Sequence, residues 1–267
     1  MPVEIIDKHI DSNSNIVLWK YLDLWKFESL LKESATFFCR ADKFPDDPFE
    51  GSIPPKVKDK RFKDIMSSEL FHGNSNITRM HNENEMISKF TKNVLRKLTL
   101  VNCWHMSDSE CNLMWNSYVE NKKIGVVIKT DIKKLISSFE NTPENIMCSF
   151  AYYLDYKHED WLKTHDSFDL IAPFIHKKKG FTKEKELRLF HQIQMFNGKE
   201  LDDFWQQQKI NNGINIKLDL NRLIDEIYCS PQANQSDIEN INRTIIDNGF
   251  SFNAKKSDIS SNEKPIF

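Results

Sequence analysis

The chain has 267 residues, with 37 basic and 39 acidic side chains, so its formal net charge is −2 and it carries no global field for a polyanion or a polycation. It is 39% hydrophobic and 12% aromatic, enough to bury a core and too apolar for a disordered chain. Seven glycines, with no G-x-G-x-x-G and no G-K-[ST], argue against a dinucleotide-binding α/β fold or a phosphate loop.

The N-terminal residues lack a basic stretch followed by an apolar one, and no run approaches 18 apolar residues, so neither a signal peptide nor a membrane span is expected. The five cysteines, Cys39, Cys103, Cys111, Cys148 and Cys229, are scattered and form no C-x-x-C. That usage fits a reducing, cytoplasmic setting without a disulfide framework.

In chain order, Ile16–Tyr21 reads as a short strand, residues 23–33 as a helix and Ala35–Arg40 as an aromatic-rich strand. Phe44–Gly51 holds two prolines and an Asp-Pro step, which make a rigid turn. Residues 56–98 are charged and helical in pattern, a helical insertion between strands. Thr99–Trp104 is a strand, and Ser107-x-x-Glu110 reads as a capping box opening a short helix with Leu113, Met114, Trp115, Tyr118 and Val119. Ile124–Ile128 is a strand and Asp131 the N-cap of another helix. Met147–Leu154 reads as one strand, 159–179 as helix, Glu186–Gln192 as strand and 199–209 as an amphipathic helix. Ile214–Leu218 and Glu226–Cys229 are late strands before a last helix, Ser236–Asn248. The irregular alternation favours an α+β fold: a mixed, mainly antiparallel sheet with flanking helices, in one domain over 1–267.

The segment Phe181–Phe190 concentrates charge at a strand entry. Residues two apart share a strand face, so Glu184, Glu186 and Arg188 stand together while Leu187 and Leu189 face a core. A strand edge salt-bridged to neighbouring lysines would explain this equally well, and Arg188 could instead clamp Glu50 or Asp47 in a bidentate pair. The run His176–Lys179 reads as a basic patch or as the solvated end of a helix.

The ordered set Trp19-Lys20-Tyr21, Asp47-Pro48-Phe49-Glu50, Cys103-Trp104-His105-Met106-Ser107, Met114-Trp115-x-x-Tyr118, Gly125–Ile128 and Phe181-x-x-Glu184-x-Glu186-x-Arg188 resembles the bacterial domain-of-unknown-function 2971 family over roughly residues 17–230. The resemblance implies a remote ADP-ribosyltransferase-like fold and a place among anti-phage defence or toxin effectors. On that reading NAD is the substrate, Glu186 the catalytic carboxylate and Glu184 its partner, in the Glu-x-Glu pattern of arginine-modifying transferases. His105 adds an acid–base or sugar-binding group. Lys20, Tyr21, Trp115, Tyr118 and Arg188 are the candidates for holding the nicotinamide ring and the anionic or hydroxyl groups. The acceptor is a macromolecule, protein or nucleic acid; a regulatory protein partner fits the setting, and no metal is expected.

Two other classes fit the same residues. One is a metal-dependent nuclease effector with Asp47, Glu50, Glu184 and Glu186 around magnesium. The other is a non-catalytic module whose aromatic pocket binds a ligand or protein. A zinc site from Cys103, His105 and Cys111 lacks a fourth ligand, and the turn Asp46–Glu50 lacks calcium-loop spacing.

Overall fold

The computed structural model describes residues 3–44, 47–66, 89–119, 124–161, 170–193 and 211–259. Within them a ten-stranded sheet is flanked by helices, an α+β architecture. The strands are β1 (Val3–Ile5), β2 (Val17–Asp23), β3 (Ala35–Arg40), β4 (Thr99–Met106), β5 (Gly125–Asp131), β6 (Ile146–Phe150), β9 (Glu186–Gln192), β10 (Gly213–Lys217), β11 (Glu226–Cys229) and β12 (Ala254–Lys256). A separate parallel pair joins β7 (Tyr152–Leu154) and β8 (His176–Lys178). The path runs β1-β6-β9-β4-β2-β5-β11-β12, with β10 attached to β3 and β3 to β4. Only β1–β6 and β11–β12 are parallel in this sheet; its other pairings are antiparallel.

β4 is the branch point. Along one edge it pairs with β9 from Thr99 to His105. Along the other it pairs first with β3, at Leu100 and Val101, and then with β2, at His105 and Met106. Side chains occupy the fork in between, as buried backbone polar groups require. The Asn102 amide donates to Thr36 Oγ1 (3.0 Å) and to the Phe37 carbonyl (2.8 Å), and the Lys20 ammonium donates to the Cys103 carbonyl (2.9 Å).

Alternation along the strands sorts side chains onto two faces. Leu18, Leu22, Leu100, Trp104, Leu187 and Leu189 enter the main core. That core is covered by helices α1 (Leu24–Glu33), α4 (Ile132–Ser138) and α5 (Gln235–Asp247), whose apolar faces supply Phe27, Leu31, Ile132, Leu135, Ile241 and Ile245. The other face carries two smaller clusters. One is Trp19, Tyr21, Val127 and Tyr228 under α3 (Asn112–Tyr118), with Met114 and Trp115. The other is Val101, Phe190, Phe174 and Ile175. The candidate site lies between these two clusters.

Most expected elements are present, and Asp131 caps α4 by accepting from the Lys134 amide at 2.8 Å. Three expectations are corrected. The strand Met147–Leu154 breaks at Ala151, whose amide turns to the Glu186 carbonyl, so Tyr152–Leu154 leaves the main sheet. Of 159–179, the described part holds a single helical turn, Ala172–Ile175, and then β8; Pro173 suits a helix start, and β7 pairs with the residues that follow. Ser107 and Glu110 form no capping box, because α3 begins at Asn112 and the Glu110 carboxylate accepts instead from Ser257 and Asp258. The capping box belongs to α5, between Asn234 and Asp237. The insertion starts as α2 (Pro55–Met66) and ends as helix through Thr91–Leu95 and Arg96–Leu98; residues 67–88, like the expected helix 199–209, lie outside the described residues. Among the described residues, no helix is long and apolar enough to cross a membrane.

Candidate functional site

β9 is not an edge. It lies between β4 and β6, so the Glu184–Arg188 segment enters the interior rather than solvent. Glu186 and Arg188 point to the face between the two smaller clusters, opposite His105 and Cys103 on β4. Arg188 is 0% exposed, Glu186 3%, Glu50 1% and Lys177 4%, and such charges persist inside only when paired.

The pairing is dense. Arg188 binds Glu50 through two parallel hydrogen bonds (2.8 and 2.9 Å), donates from Nε to Glu186 Oε2 (2.5 Å) and reaches the Phe174 carbonyl. Lys177 Nζ lies 2.6 Å from Glu184 Oε2 and 3.3 Å from Glu186 Oε1. The Glu186 amide donates to the Tyr153 hydroxyl at 2.9 Å. Two cations thus face three carboxyl groups, and one negative charge is in excess.

The excess is felt most where Glu184 and Glu186 meet on the single ammonium of Lys177. Burial works against the Glu186 charge, but Arg188 and Lys177 outweigh it and hold this carboxyl well below the usual range. Burial and the charge of Glu186 push Glu184 up from 4.5 to about 7. Near neutrality Glu186 is therefore ionised and Glu184 is the group that exchanges a proton. The backbone makes this possible: Lys185 adopts a left-handed conformation (φ 41°) at the end of the turn Lys179–Glu184, which folds Glu184 back beside Glu186.

His105 lies inside β4, not beyond its end, and is buried. Its Nδ1 sits 2.6 Å from the Glu184 carbonyl oxygen, so Nδ1 carries the hydrogen and Nε2 the lone pair. Burial lowers its pKa, which keeps the ring neutral. Its ring stands edge-on to Tyr21, 6.4 Å between centroids, and Tyr21 in turn stands edge-on to Trp115 at 5.0 Å. Tyr21 is buried and its hydroxyl accepts from the Cys111 amide at 2.8 Å. Trp115 is core, yet its indole N–H has no hydrogen-bond partner. Tyr118 is different: its ring is exposed while Glu186 and Glu184 act electrostatically on its hydroxyl, which burial and those charges keep protonated.

The site therefore unites Glu184, Glu186, Arg188, His105, Tyr21, Trp115 and Tyr118, and leaves out Lys20. Lys20 alternates with Tyr21 and lies on the opposite face, 5.5 Å from the Trp104 ring centroid, where desolvation lowers its pKa to about 8. Arg188 commits four of its five N–H groups within the interior, so it acts as an anchor rather than a ligand-facing cation. Lys177 and Tyr153 were missed. The signal for Lys177 is the basic run His176–Lys179, which reads as a basic patch or a solvated helix end, but β8 turns this lysine inward to the carboxylates.

Of the acidic turn, Asp47 accepts from the Phe49 amide at 3.0 Å and Glu50 enters the core to meet Arg188, while Asp46 lies outside the described residues. Among the described residues, no three His, Cys, Asp or Glu side chains are grouped to hold a metal ion. The Cys103 thiol is pushed up by burial and by Glu186, so it stays protonated. A polar groove of about 480 Å³ between Asn15–Val17, Met106–Ser109 and Lys185 abuts the site through the chain neighbours of His105 and of both carboxyls. No protein-family model, curated protein or solved structure matches the chain.

Proposed function

We propose that the chain is an ADP-ribosyltransferase-like enzyme that cleaves NAD and transfers ADP-ribose, with the Glu184–Glu186 pair as its working centre. The observation that carries this reading is the convergence of three carboxyls on two buried cations: Lys177 Nζ lies 2.6 Å from Glu184 and 3.3 Å from Glu186, and Arg188 holds Glu186 and Glu50. Breaking the bond between nicotinamide and ribose sends the electron pair to the departing ring and leaves an oxocarbenium-like sugar. Surplus negative charge in a buried site stabilises that cation. The acceptor atom then bonds to the anomeric carbon and gives its proton to Glu184, whose range suits a general base.

Glu186, 3% exposed, serves as the fixed charge and Glu184, on the accessible side, as the group that meets substrate. Tyr118, 40% exposed, supplies the aromatic face for nicotinamide, and the buried Tyr21–Trp115 pair packs behind His105. A defence or toxin role rests on the sequence resemblance alone.

One observation favours a non-catalytic module instead: the oxygens of Glu186 and Glu50 already have Lys177 and Arg188 as partners, which a purely structural network also requires. Incubation of wild type, Glu184→Gln and Glu186→Gln with NAD, following nicotinamide release and the integrity of added RNA and DNA together, separates the readings. Nicotinamide release by wild type, lost in folded Glu184→Gln, supports the transferase. Metal-dependent loss of nucleic acid supports the nuclease, and no turnover of either leaves the module.

A further inference from the structure

The mouth of this site is basic and aromatic although the chain as a whole is slightly acidic. Lys178, Lys179, Lys183 and Lys185 fall within eight residues, and among the described residues none enters an ion pair. The one carboxylate of the segment, Glu184, is turned inward to Lys177. Beside them Phe49 is 45% exposed with Lys178 Nζ 3.0 Å from its ring centroid; Tyr118, 40% exposed, stands in the field of Glu184 and Glu186. Phe49 is held in place: its amide is tied to Asp47 and the next residue, Glu50, is clamped by Arg188. A fixed, exposed Phe49 ring with Lys178 on one face, a second exposed ring at Tyr118 and lysines outside any ion pair match the chemistry of single-stranded nucleic acid, where bases stack on aromatic faces and phosphates meet ammonium groups.

We propose that this rim binds single-stranded nucleic acid, with phosphates on Lys178, Lys179, Lys183 and Lys185 and bases on Phe49 and Tyr118. The surface rests on the rim alone and does not require that NAD be cleaved. The test is fluorescence anisotropy of a labelled single-stranded oligonucleotide with the full chain across a salt series. Four phosphate contacts give a log–log salt slope of about −2.8, and Lys179→Glu with Lys183→Glu, both exposed, makes it shallower by about 1.4. Phe49→Ala weakens binding roughly five- to hundredfold, with an unchanged circular dichroism spectrum. The proposal is overturned if the oligonucleotide does not bind at low salt, if the double charge reversal leaves affinity unaltered, or if an acidic peptide of equal length binds as tightly.

Discussion

The guanidinium of Arg188 meets the carboxylate of Glu50 in two parallel hydrogen bonds, 2.8 and 2.9 Å long, across 138 residues of sequence and with neither side chain exposed. This contact ties the turn after β3 to β9 and sets the position of everything built on Glu186. Removing Glu50 strips two fully buried guanidinium N–H groups of their acceptor. Glu50→Ala should cost about 3–5 kcal/mol, read as a lower urea midpoint. A loss under about 1 kcal/mol would show that the pair is relaxed in solution.

Stability should also depend on pH through Glu184. Its carboxyl is raised in the fold, from 4.5 to about 7, so the fold prefers the protonated form. The contribution is present in full below 4.5 and is lost as pH rises through 7. Glu186 has the opposite sign: its carboxyl is depressed, so its contribution is present above the ordinary carboxylate range and fades in acid. The difference between the wild-type and Glu184→Gln urea midpoints should fall as pH rises from 4.5 to 8. Parallel curves would sink this assignment.

If Glu184 is the base, nicotinamide release should rise about tenfold per pH unit below 7 and level off above it. The profile should lose this inflection in Glu184→Gln. A flat wild-type profile from pH 5 to 9 would remove Glu184 from the proton transfer.

Trp115→Phe separates packing from ligand contact. The indole N–H has no partner in the fold, so its removal forfeits no hydrogen bond there, and the ring volume is largely kept. Thermal stability should change by no more than about 1.5 kcal/mol, whereas NAD affinity should drop if the aromatic pair behind His105 shapes the ligand site. Equal stability with equal affinity would place Trp115 outside the ligand site.

Lys185 occupies a backbone region that side chains with a Cβ avoid. Lys185→Gly should therefore hold or raise stability, by up to about 1 kcal/mol, and Lys185→Val should lower it. A less stable glycine variant would mean that the lysine side chain, not the turn geometry, secures the carboxyl pair.

Local pattern was legible wherever one physical rule decided it. The period of two placed Glu186 and Arg188 on one face and Leu187 and Leu189 on the other, because successive side chains on a strand point apart. The same rule separated Lys20 from Tyr21, although both had been expected in one site. Capping at Asp131 was readable because it is a contact between near neighbours. The box at Ser107 and Glu110 was misread because Glu110 finds its partners at Ser257 and Asp258, far along the chain.

By itself, then, the sequence determined an α+β chain, the faces of its strands and the charged character of the Glu184–Arg188 segment. Whether that segment was wet or buried depended on its neighbours. Only the tertiary structure put β9 between β4 and β6, brought Glu50 and Lys177 to the carboxyls, and so made solvated charges into a buried network of ion pairs. The physical reason is that a carboxyl's ionisation is set by desolvation and by charges within a few ångströms, whatever their distance along the chain.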